Sequence, residues 1–221
     1  MNDTNLGKGE LESLVSESRN KNVTRIGVVI NKSAAHYLQF SKLLVNHGFT
    51  AYASKVEVTK LLQGLTEPKK AYEWRSISTN TLTEAEFKKL WSQCRIGSEN
   101  RTSSLSIEEH VASVQQLLGE KWRDACVAFY EGSKAIGITI PHIEPGTQDE
   151  GRLFYFGLVP EERGRGRSGL IHTQSLWLLK QMGATFYKGS THETNLKMQK
   201  VFLNNACSIT RHIESYYLDL T

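Results

Sequence analysis

Gly157-Leu158-Val159-Pro160-Glu161-Glu162-Arg163-Gly164-Arg165-Gly166-Arg167-Ser168-Gly169-Leu170 is the stretch on which the reading of this 221-residue chain turns. Upstream, Leu153 to Val159 is aromatic and aliphatic and predicts a strand. Downstream, Ile171, Leu178, Leu179 and Met182 recur at helical spacing and predict a helix ended by Gly183. Between the two, Pro160 marks a turn, and Gly164, Gly166 and Gly169 free the backbone to aim several N–H groups at one point. The helix that follows adds the positive end of its dipole, so the loop suits a phosphate. The order strand, Pro, R-G-x-G-x-(G/S), helix narrows that phosphate to a pyrophosphate.

Other readings of the loop stand beside this one. The G-x-x-x-x-G-K-[ST] spacing and its lysine are missing, which excludes a P-loop. Gly164-x-Gly166-x-x-Gly169 fits a dinucleotide fingerprint, but it comes late and no βαβ unit with an acidic ribose partner follows. Arginine-glycine runs also bind nucleic acid, yet this one is a single turn wedged between two apolar elements. An ordinary strand-to-helix turn with solvated arginines is the plain alternative.

Composition bounds the rest. A formal net charge of +4 with interspersed signs suits an enzyme for an anionic cofactor and is too mild to demand nucleic acid. Cys94, Cys126 and Cys207 are odd in number and widely spaced, which predicts reduced, inert thiols and neither a disulfide framework nor a metal site. Residues 1–22 are polar, without an apolar signal region, and no run of apolar residues is long enough to span a bilayer. The expectation is a cytoplasmic protein with no membrane partner.

Along the chain, residues 1–22 read as a polar leader or short helix. Residues 23–66 read as a small α/β extension: a strand at Val23 to Ile30, a helix at Ala34 to Asn46, and a strand at Phe49 to Leu62. Glu67-Pro68-Lys69-Lys70 is the linker candidate. Residues 67–221 then give a strand at Tyr72 to Ile77 and capped helices ending at Arg95 and Leu118. A hairpin at Ala125 to Ile140 and the strand with its glycine-rich loop follow. The rest is a helix to Met182, a strand at Ala184 to Gly189, a helix at Leu196 to Asn204 and a last strand at Ile209 to Leu220.

From Tyr72 onward this order resembles the GNAT (GCN5-related N-acetyltransferase) superfamily, whose cofactor motif R/Q-x-x-G-x-G/A is matched by Arg163-Gly164-Arg165-Gly166-Arg167-Ser168 with serine last. Gly189-Ser190-Thr191, Asn195, Met198 and Phe202 continue the likeness. Gly183 to Thr191 is similar to the same stretch in firmicute-type members. The resemblance implies an α/β (α+β) fold with a mixed, splayed sheet flanked by helices. It also implies acetyl-CoA as co-substrate and direct transfer of its acetyl group to an amine. By the same resemblance, the backbone of Leu158 and Val159 receives the pantetheine arm, and Arg163, Gly164, Arg165, Gly166, Arg167 and Ser168 hold the diphosphate. Asn195 and Phe202 stand beside the arm.

The chain departs from the family where the chemistry sits. The position that carries a tyrosine acid in many members is Phe202, which has no proton to give. Tyr187 and His192 are the nearby donors, and Glu150, His192 and Glu193 are the candidate bases, with His142 a further one. Glu150 reads as a solvated turn residue before the strand. Glu144, Asp149 and Glu150 lean toward a cationic small-molecule or peptide acceptor, whose pocket the family shapes with loops near Gly97 to Ser106 and Pro141 to Glu150. Residues 23–66 echo the closing half of an acetyltransferase fold, as a truncated relic or a small add-on imitating one, whose open strand edges call for cover by the main domain or by a second subunit in a homodimer. A CoA-binding sensor without turnover is the alternative function.

Overall fold

The computed structural model describes residues 7–69, 71–99 and 104–220. Lys70 of the linker, residues 100–103 of the acceptor loop and the first six residues of the leader lie outside them. Eight strands form one open, mixed sheet in the order β1-β8-β2-β7-β6-β5-β4-β3, where β1 is Arg25–Asn31, β2 Thr50–Leu61, β3 Glu73–Ser76 and β4 Val127–Glu131. Strand β5 is Lys134–Ile143, β6 Glu150–Leu158, β7 Phe186–His192 and β8 Ser208–Asp219. Helices flank the sheet: α1 Lys8–Asn20, α2 Tyr37–Asn46, α3 Glu84–Arg95, α4 Ile107–Leu118, α5 Trp122–Ala125, α6 Arg167–Gln181 and α7 Leu196–Asn204. Among the described residues no helix is long and apolar enough to cross a membrane.

The chain divides into two compact units, residues 1–57 with 209–221, and residues 58–208. In the first, β8 runs antiparallel to β1 from Arg25↔Asp219 to Asn31↔Ile213. Its core is Leu11, Ile26, Leu44, Phe49 and Tyr216. The leader therefore contributes a helix with Leu11 wholly buried, and the last strand of the sequence belongs with residues 1–57, a pairing that local pattern does not reveal.

The second unit holds the glycine-rich loop. Strands β3, β4, β5 and β6 form an antiparallel meander, and β7 joins β6 in parallel. Thr83 and Ser106 cap α3 and α4 through reciprocal bonds with Glu86 and Glu109, each such cap contributing about 1 kcal/mol. These helices bury Phe87, Leu90, Trp91, Val111 and Val114 against Ile138 and Ile140 of β5. Leu176 and Leu179 of α6 pack with Tyr187 and Phe202, and Ile171 and Leu178 with Phe129, Ile136 and Leu158.

Pro141 lies within β5 and has no N–H for the ladder, a placement tolerated at bulges. The register shifts there: Thr139 faces Phe156 and Pro141 faces Leu153, so two steps on β5 span three on β6. The extra residue bulges β6 around Phe154 and Tyr155 and bends it.

Candidate active site

Strands β6 and β7 are paired at only two positions, Glu150↔Phe186 and Gly151↔Tyr187. Beyond them β6 continues to Leu158 and β7 to His192 without ladder contacts, so the two part into a V. At the open end of β6 the Val159 N–H donates to Ile136 O at 3.2 Å. By the alternation of antiparallel pairs, the N–H of Leu158 then points the other way, into the gap. Of the expected pair, Leu158 keeps a free donor and Val159 does not.

The loop follows directly. Gly164 and Gly166 have φ of +72° and +74°, the left-handed region that glycine enters without strain. Gly166 is the N-cap of α6. Among the described residues, the N–H groups of Gly164, Arg165, Gly166, Arg167 and Ser168 have no backbone acceptor. They are the orphan donors of a helix start, and Gly164, Arg165 and Gly166 are exposed. An anion with several oxygens fits this cradle.

Arg163 is committed elsewhere. Its N–H donates to Pro160 O, and its guanidinium donates to the carbonyls of Leu158, Cys94, Ile96 and Gly97. It clips the end of α3 to the end of β6, and four of its five side-chain N–H donors are spent on carbonyls, where the resemblance implied a diphosphate ligand. Arg167 is also engaged, with Glu131 at 2.7 Å and Glu162 at 3.0 Å. Arg165, with a side chain 59% exposed and a loose 3.8 Å contact to Glu162, is the cation left to reach an anion. Sequence reasoning missed Glu162, a carboxylate 1% exposed beneath the loop. Its hydrogen bond from Lys134, with the charges of Arg167, Lys134 and Arg165, holds it below the usual carboxylate range. Arg163→Ala is expected to lower unfolding free energy by about 2–3 kcal/mol, since several carbonyls lose charged donors. Arg163→Lys recovers little of this, because one ammonium cannot span the fork. Chemical denaturation of the two variants checks this.

The other flank of the V is aromatic. Tyr187 of β7 is 2% exposed, and its hydroxyl lies against Gly189, where a Cβ would collide with it. Burial, then the nearby Cys207, pushes its phenol far above the ordinary value. Phe202 is 2% exposed and packs in the core. Asn195 caps α7, accepting from the Met198 N–H at 3.0 Å. Sequence reasoning also missed His172 of α6, whose ring is fully buried among Phe156, Tyr187 and Phe202 at 5.4–5.5 Å between centroids. The signal was there: His172, Gln174 and Ser175 put polar groups on the buried side of an apolar helix.

The expected bases separate. Glu150 is no turn residue: β6 begins with it, and it lies 8% exposed at the closed end of the V. Its carboxylate is taken by Arg152 at 2.5 Å and Lys188 at 3.4 Å. His142 sits within β5, 4% exposed, with Nε2 3.4 Å from Glu144; burial lowers its pKa. Glu144 also meets Arg152 at 3.3 Å, and Asp149 accepts from the Thr185 hydroxyl. All three carboxylates thought to favour a cation thus have partners already. His192 ends β7 on the parted arm, its carbonyl accepting from the Asn195 N–H. The three cysteines are free and buried, and burial pushes Cys94 and Cys126 up to about 12 and Cys207 to about 11.

No family model matches the sequence, and no curated protein matches it. Solved structures do. A GCN5-related N-acetyltransferase from Sphaerobacter thermophilus superposes with a TM-score of 0.66 at 13% identity, over 98% of this chain and 69% of its own. A GNAT-family acetyltransferase from Colwellia psychrerythraea gives 0.62 at 14%, over 99% and 75%. A tandem GNAT protein from the clavulanic acid biosynthesis pathway gives 0.60 at 12%, over 99% and 71%. This chain has the GNAT fold. Identities this low carry the architecture and nothing finer.

Proposed function

We propose that this chain is an N-acetyltransferase that takes acetyl-CoA as co-substrate and an amine as acceptor. The observation that carries it is the meeting of five orphan N–H groups with a sheet that parts beside them. The residues fit the ligand: Gly164 to Ser168 offer the diphosphate backbone donors, with Arg165 as charge partner. The Leu158 N–H offers the pantetheine arm a β-strand contact. Acetyl-CoA supplies an acetyl group already activated as a thioester.

An amine with a pKa of about 10.4 is almost wholly protonated at pH 7 and cannot attack. His192, on the open arm, is assigned as its base, directly or through water. Glu150, held by two cations at the closed end, is assigned to hold the strands in register. Tyr187 keeps its proton at every working pH, and a phenol so raised yields it reluctantly. Its hydroxyl, which lies against Gly189 on the parted arm, is assigned as a hydrogen-bond donor to the leaving sulfur, which takes its proton from water. Tyr187→Phe is expected to cut kcat about tenfold with KM unchanged, the pattern of an interaction made in the transition state. Steady-state kinetics measure it.

The acceptor is a primary amine of unassigned class. Thiol release from acetyl-CoA over amines, polyamines, amino acids and peptides tests the proposal. Acceptor-dependent release is expected from at least one class. Binding of acetyl-CoA with no release from any would favour the second reading, a CoA-binding regulatory module, for which Phe202 in place of an acid speaks.

A further inference from the structure

His172 is the buried group that the proposed chemistry leaves unused. Its Nδ1 lies 2.8 Å from Asn205 Nδ2. The same amide nitrogen lies 2.9 Å from the Gly169 carbonyl, which can only accept, so the atom in that place is a donor. Nδ1 is therefore the acceptor and the neutral ring carries its proton on Nε2. That Nε2–H is buried and has no partner. A polar group left so is uncommon in a packed protein and calls for a specific explanation.

Its position supplies one. The two ring nitrogens point to opposite sides of the imidazole, so Nε2 faces away from Asn205 at the end of α7. Phe156 and Tyr187, standing edge-on at 5.4 and 5.5 Å, belong to the two arms of the V, β6 and β7. His172 lies four residues beyond Ser168, about 6 Å along the α6 axis from the orphan N–H cradle. The ring thus stands against a side chain of each arm, about one turn of α6 from the cradle.

We propose that the Nε2–H of His172 is a binding donor that receives an amide carbonyl of the pantetheine arm. This rests on reading the V as the CoA cleft. The Asn205 amide is then a positioning group, fixing the tautomer that puts the proton on the cleft side. Burial and the charge of Lys60 keep the ring neutral in the physiological range, so it acts as a hydrogen-bond donor and carries no charge.

The test uses two substitutions and two ligands. His172→Asn keeps an acceptor for Asn205 and deletes the Nε2 donor, whereas His172→Gln restores an amide donor at the Nε2 position. Calorimetry is run with acetyl-CoA and with adenosine 3′,5′-diphosphate, which has no pantetheine arm. His172→Asn is expected to weaken acetyl-CoA about tenfold and His172→Gln less than about threefold, the loss of one neutral hydrogen bond. Neither changes affinity for the nucleotide, and in wild type the Nε2–H proton signal shifts with acetyl-CoA only. Equal loss for both ligands, or an unmoved signal with undiminished affinity, overturns the proposal while leaving the cleft in place. Wild type that binds neither ligand removes the cleft as well.

Discussion

Gly166→Val is expected to weaken acetyl-CoA binding about a hundredfold, the loss of one or two charge-assisted hydrogen bonds of about 1.5–3 kcal/mol each. The cause is conformation, not crowding. Gly166 has φ of +74°, and nothing lies within 4 Å of where its Cβ would stand. A valine meets open space but cannot hold that φ without strain of about 1–2 kcal/mol or more. The backbone relaxes toward negative φ and swings the N–H groups of Arg167 and Ser168 away from the point they share. Gly169 is the control. Its φ is not left-handed, and a Cβ there meets only Asn205 Oδ1 at 4.0 Å. Gly169→Ala should keep affinity within about twofold and gain up to about 1 kcal/mol of stability, since alanine loses less freedom in a helix. Titration calorimetry with circular dichroism separates lost binding from lost folding.

Acidification is expected to destabilise the protein well above the range in which carboxylates titrate, with His172 a main cause. Burial, then the ammonium of Lys60, pushes its pKa down from 6.5 to about 3. Below pH 6.5 the unfolded chain takes up a proton that the native chain refuses, so stability is lost steadily as pH falls from 6.5 toward 3. Each pH unit across that window costs about 1.4 kcal/mol, so His172 alone accounts for about 2–3 kcal/mol between pH 6.5 and 4.5 and about 4–5 kcal/mol by pH 3. Burial also lowers His110 and His142, which act in the same direction. Glu162, whose folded pKa is depressed, loses its stabilising effect only below about pH 4.5. The difference between wild type and His172→Asn in urea denaturation isolates the imidazole: the slope between pH 6.5 and 4.5 should shrink by about 1.4 kcal/mol per unit in the variant. Equal slopes would mean that the ring is protonated or hydrated in the native state.

The order of elements in residues 58–208 was legible because each signal is local. The capping boxes at Thr83 and Ser106, the left-handed turn at Gly132 and the glycine-rich loop all act within a few residues of their causes. The left-handed glycines of the loop and the helix start behind them were legible for the same reason. The start of β6 was not: the strand read as beginning at Leu153, with Glu150 a turn residue before it, whereas pairing with β5 and β7 extends it back to Glu150. Arg163 looked like a phosphate ligand because its sequence neighbours are the loop, whereas its acceptors Cys94, Ile96 and Gly97 lie more than sixty residues away. The tautomer of His172 depends on Asn205 on another helix, and the grouping of the last strand with residues 1–57 depends on long-range pairing. What stayed hidden was, in each case, a contact between distant parts of the chain.

A crystal structure with CoA tests the central claim most directly. The account expects diphosphate oxygens within hydrogen-bond distance of the Gly164 to Ser168 N–H groups, and the pantetheine arm between β6 and β7 beside the Leu158 N–H. A ligand held at the Arg163 guanidinium, or bound on a surface remote from the parted strands, would contradict it.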